Sequence, residues 1–135
     1  MVAQYAYWIS TTLLTLLYFA SATLYIARKD WVRQTLAELN YPASYLVPLM
    51  IAIKLLGPLV ILSRVSVPLS DLAYAGMFFH LLLSGSAHLG VRKPKGALPA
   101  FLGLVLLVAS FSTQNFARDV PSPYGAVIAA QQSNP

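Results

Sequence analysis

The sequence predicts an all-α protein: an integral membrane antiparallel four-helix bundle, plus a short cytoplasmic interfacial helix. Three observations lead there. The 135 residues are 58% hydrophobic and only 10% charged, with mean hydropathy +0.66, whereas a soluble domain carries about a quarter charged residues. Four apolar runs each approach the length of about 20 residues that one helical crossing requires. The basic residues gather in alternate loops between those runs.

The first span runs from Tyr5 to Ala27 without a charge. It is too long and too rich in Thr and Tyr for a cleaved signal peptide, and no basic residue precedes it. The second is expected over about 45–63, the third over about 72–89 and the fourth over about 97–116. The connections are short, so neighbouring helices pack antiparallel, up-down-up-down. Residues 1–117 read as one four-span domain and 118–135 as a polar C-terminal tail. Pro121, Pro123 and Gly125 favour a poorly ordered tail.

Lys29–Leu39 is too polar to cross. Trp31, Val32, Thr35, Leu36 and Leu39 recur at helical spacing, which suits a helix of about 29–39 lying on the interface. Asn40-Tyr41-Pro42 then breaks it. Ser70 and Asp71 are candidate N-caps for the third span. Tyr7, Trp8, Trp31, Tyr41 and Tyr45 read as interfacial anchors.

Loops one and three carry Arg28, Lys29, Arg33, Arg92, Lys93 and Lys95, while the other side has only Arg64 and Arg118. Six against two places loops 1 and 3 in the cytoplasm and both termini outside. The expected location is the plasma membrane (the inner membrane if the source is bacterial), as a multi-pass protein. The net charge of +5 does not indicate nucleic acid, because the basic residues form short clusters between apolar runs. The absence of cysteine excludes thiol redox chemistry and Cys-ligated metal centres.

One residue breaks the apolar pattern. Lys54 is the only charge between Tyr45 and Ser63, near the middle of the second span. A charge at mid-bilayer costs about 3 kcal/mol or more unless it is paired, wetted or neutral, so it is a functional candidate by default. Snorkelling is the bland alternative, but the reach from mid-span is poor. Counting about 1.5 Å per residue puts Tyr18 and His80 at a similar depth, with His88 about 12 Å nearer the cytoplasm. Pro58 removes the backbone bond to the Lys54 carbonyl and so predicts a kink with a free acceptor at this level.

Two stripes accompany Lys54. Thr11, Thr15, Tyr18, Ala22 and Tyr25 share one face of the first helix. Gly76, His80, Ser84 and His88 step by four along the third. Ser110 and Gln114 are four apart in the fourth. Such stripes serve helix packing as readily as ligand binding. Lys54 and His80 are the candidate catalytic residues. Tyr18, Thr15, Tyr74, Ser84 and His88 are the candidate ligand-binding residues. No metal is expected: the two histidines are too far apart to chelate together, and no carboxylate lies at their depth.

Lys54-Leu55-Leu56-Gly57, Leu72-Ala73-Tyr74-Ala75-Gly76 and His88, preceded by Leu39-Asn40-Tyr41-Pro42, resemble the DoxX-like family of small four-helix integral membrane proteins. The resemblance covers roughly residues 5–117. Lys54, Tyr74, Gly76 and His88 match the family pattern. Leu72 stands where Trp is frequent, and His80 where an acid is frequent. The resemblance implies a membrane bundle, in some relatives accompanying redox systems such as thiosulfate:quinone oxidoreductase, and in more distant ones resembling receptor-assembly chaperones.

Three functions remain open. The first is a mid-bilayer polar pocket binding a quinone-like or other lipid-soluble small molecule, as part of a membrane redox-associated system. A quinone is the one cofactor suggested. The second is a small membrane enzyme in which Lys54 and His80 act as base and acid on a lipophilic substrate, with Tyr18 or Tyr74 orienting it. The third is an assembly factor or scaffold packing against membrane partner subunits or further copies of itself. A channel is disfavoured, because the polar residues form no continuous path.

Overall fold

The computed structural model describes residues 1–125 except Ala43. It contains α1 (Val2–Ala27), α2 (Lys29–Glu38), α3 (Leu46–Ser63), α4 (Val67–Gly90) and α5 (Leu98–Thr113), with short 3-10 turns at Pro94–Ala97 and Gln114–Ala117. Four helical segments are long and apolar enough to cross a membrane: α1, α3, α4, and α5 with its flanking 3-10 turns. No strand occurs among the described residues. The all-α membrane bundle expected from composition is therefore present.

The four spans form a closed ring. α1 packs on α3 and α5, and α4 packs on the same two helices from the opposite side. Each chain-adjacent pair is thus a spatial neighbour, and α5 closes the ring on α1. The core gathers Leu14 and Tyr18 from α1, Ile61 from α3, Tyr74, Met77 and Leu81 from α4, and Ala100 and Leu107 from α5. The opposite faces carry Leu56, Leu83, Phe101 and Val105 outward. That inside-out apolarity is stable only where lipid replaces water.

Gly57 lets α3 and α4 approach closely: a Cβ there would lie 3.0 Å from the Met77 side chain. α3 continues through the buried Pro58 to Ser63. The proline therefore removes the bond to the Lys54 carbonyl without ending the helix.

Sequence and structure differ in three places. α4 starts at Val67, about one turn before the expected Leu72. Its N-cap is Ser66, whose Oγ accepts from the Leu69 backbone N–H at 3.2 Å. Pro68 in the first turn reinforces this start, so Ser70 and Asp71 lie inside the helix and cap nothing. Tyr7 is not an interfacial anchor; it is 1% exposed in the bundle, whereas Trp8, Trp31, Tyr41 and Tyr45 are exposed. The chain beyond Ala117 is fastened as far as it is described. Ser122 is buried, exchanges hydrogen bonds with Asn115 and donates to Asp71 Oδ2 at 2.7 Å. Residues 126–135 of the expected tail lie outside the described residues.

α2 and the α4–α5 connection share one end of the bundle, joined by the Lys93–Glu38 ion pair at 2.8 Å. Asn40, with φ 67°, ends the α2 region in the left-handed conformation that asparagine tolerates well. At the opposite end, Arg64 caps α3 with φ 54°, donates to the Ala117 carbonyl and lies 5.4 Å from the Trp8 ring. The two basic groups distinguished in the sequence therefore occupy opposite ends.

Candidate functional site

Lys54 faces inward. Its side chain is held within the ring of helices, and the residue is only 6% exposed. Its Nζ lies 4.6 Å from the centre of the Tyr25 ring and 5.7 Å from that of Tyr18. Both tyrosines come from the α1 stripe, which α1–α3 packing turns towards Lys54. An aromatic face within about 6 Å of a cation attracts it by about 0.5–2 kcal/mol. Among the described residues, no hydrogen-bond acceptor reaches this Nζ.

Tyr18 joins the three helices. Its hydroxyl is 3.0 Å from His80 Nδ1 and 3.3 Å from the Met77 carbonyl, both on α4. The rings of Tyr18 and His80 are tilted at 56° with centroids 5.6 Å apart. Lys54 from α3 and His80 from α4 both approach Tyr18. The level estimated by counting rise per residue thus brings Tyr18, Lys54 and His80 together. With Tyr25 they make a cluster of amine, phenol and imidazole with no acid among them. Such groups donate hydrogen bonds and exchange protons.

The other sequence candidates lie elsewhere. The Thr15 hydroxyl donates to the Thr12 carbonyl of its own helix at 3.0 Å. Ser84 is half-buried on α4. His88 packs against Gly96 in the 3-10 turn, where an added Cβ would clash with its imidazole ring. That places His88 at the α2 end of the bundle. Tyr74 points the other way: its hydroxyl is 2.6 Å from Ser110 Oγ, which is in turn 2.6 Å from Thr11 Oγ1.

This second hydroxyl cluster continues towards the terminal end. Gln114 Nε2 donates to Asp71 Oδ1 at 3.2 Å, and Asp71 also receives Ser122. Its partners are far apart in sequence, so spacing alone gave no sign of the network. The only legible hints were the Ser110/Gln114 pair four apart and Thr11 on the α1 stripe. Tyr25 was legible as a stripe member, but not as one of the two rings against Lys54.

The model of the family described as DoxX-like matches residues 9–110. No curated protein and no solved structure matches the chain.

Proposed function

The chain belongs to the DoxX-like family, and from that membership and the Lys54 cluster we propose that it binds a lipid-soluble small molecule bearing carbonyl oxygens, of quinone type, at mid-bilayer. One observation carries the reading: Lys54 points inward with its Nζ over the Tyr25 and Tyr18 rings, and no acceptor for its N–H bonds is present among the described residues. An amine without a protein acceptor is free to donate to a ligand oxygen, and a charge-assisted bond of that kind is among the stronger ones. The amine donates whether charged or neutral. The flat faces of Tyr18 and Tyr25 suit a planar ring, and the Tyr18–His80 hydrogen bond holds the phenol ready as a second donor.

In this reading loops 1 and 3 face the cytoplasm, both termini face outward, and the protein serves a membrane redox system as a binding subunit. The Tyr18–His80 pair also favours a second reading, acid–base chemistry on the bound molecule, with Lys54 as base and His80 as acid. Mass spectrometry of lipophilic molecules co-extracted with native protein tests the binding site. Wild type is expected to retain a carbonyl-bearing compound that Lys54→Met loses. Equal recovery from both proteins removes the proposal. Retained binding in His80→Phe, with loss of turnover of that compound, selects the enzyme.

A further inference from the structure

The terminal end of the bundle carries a feature that the Lys54 cluster does not use. The α3–α4 turn and the chain after α5 border an open hollow of about 540 Å³, lined by Arg64, Ser66, Arg118 and Asp119 among Val65 and Val120. Beside it, between α4 and α5, runs an apolar groove of about 730 Å³, lined by Leu72, Phe78, Val108, Phe111 and Tyr124 among others. Val67 and Pro68 line both, so the two spaces meet at the first turn of α4. Both volumes fall in the range of small-molecule sites.

The residues lining the hollow are unbalanced in charge: two arginines and one aspartate, and Asp119 forms no ion pair among the described residues. Arg64 is anchored by its bond to the Ala117 carbonyl and its approach to Trp8. Arg118 is not anchored. Its Nε and Nη2 are enclosed without an acceptor, which is a costly state for a guanidinium. An anionic group entering the hollow can draw Arg118 to itself without breaking any existing hydrogen bond of that side chain. In the neighbouring groove the one carboxylate, Asp71, is already engaged by Gln114 and Ser122, which leaves the walls apolar.

We propose that these joined spaces form a site for one anionic phospholipid of the leaflet at the terminal end, with its phosphate between Arg64 and Arg118 and an acyl chain along the α4–α5 groove. Arginine matches a phosphate through its planar fork of donors. The apolar groove adjoins the hollow at Val67 and Pro68 and continues along α4 to Phe78 and Phe79, so headgroup and chain would lie in continuous space. The site is separate from Lys54, so either can exist without the other.

The test is native mass spectrometry of the purified protein after equilibration with vesicles of equal phosphatidylglycerol and phosphatidylcholine. Wild type and Lys54→Met are expected to retain phosphatidylglycerol preferentially. Arg118→Gln and, independently, Arg64→Gln are each expected to reduce that preference about fivefold, the effect of one basic side chain on an anionic lipid. Ala75→Phe, which narrows the groove and leaves both arginines, is expected to lower retention of both lipids. Equal retention of the two lipids by wild type overturns the proposal, as does an unchanged preference in the arginine variants. Displacement of the lipid by excess inorganic phosphate also overturns it, because it would mean a bare anion site. If Arg118→Gln does not fold, Arg64→Gln carries the same comparison.

Discussion

At the scale of single residues, the chain contains polar side chains that resemble one another in sequence and differ in use. Tyr18 and Tyr74 are both buried core tyrosines. Tyr18 reaches His80 beside Lys54, whereas Tyr74 reaches Ser110 in the terminal-end cluster. Tyr18→Phe keeps the ring against Lys54 and removes only the hydroxyl. It is expected to cost about 1 kcal/mol of stability, the net worth of a buried hydrogen bond, in reversible unfolding from detergent micelles. Thr15→Val, which removes a bond within one helix turn, should cost less. A Tyr18→Phe protein as stable as wild type would mean that the hydroxyl does not join α1 to α4. Lys54 itself was legible without a structure, because a lone charge in an apolar run is conspicuous. Its two ring partners were not, because nothing in a stripe says which neighbouring helix it faces.

At the scale of elements, apolar run length located every span, and polar turn residues located the breaks. The clearest error was the start of α4. Ser70 and Asp71 looked like caps because they are the polar pair nearest the apolar run. Ser66 caps instead, and Pro68 falls in the first turn, where its missing N–H costs nothing. Ser66→Ala is therefore expected to lose about 1 kcal/mol, as cap deletions do. Ser70→Ala is expected to be neutral or stabilising, because the Ser70 hydroxyl is buried with no partner. Thermal unfolding of the two variants under identical conditions distinguishes these outcomes, and a reversed order would return the cap to Ser70. The stretch from Arg118 to Gly125 differs from the expectation for a related reason. Prolines near a terminus suggest disorder, but Ser122 is held by Asp71 and Asn115, 51 and 7 residues away.

At the scale of the whole molecule, the bundle has two different ends and a polar cluster between them. The α2 end carries six of the basic residues, and the terminal end carries Arg64 and Arg118. The orientation proposed from the positive-inside rule has the α2 end in the cytoplasm. The absence of cysteine makes this directly testable. A membrane-impermeant maleimide added to intact cells is expected to label Asp119→Cys and to leave Gln34→Cys unlabelled until the membrane is opened. The opposite pattern would invert the protein. The result also sets the leaflet from which the proposed phospholipid would enter.

The sequence by itself determined the helices, their number and their antiparallel order, because those depend on local hydropathy and on a rise fixed per residue. Only the tertiary structure decided which side chains meet. The rotation of each helix about its axis and its sliding against its neighbours are set by many small contacts between residues distant in sequence, such as Met77 against Gly57. Those two freedoms brought His80 to Tyr18, turned Tyr74 towards Ser110, and left the amine of Lys54 against aromatic faces.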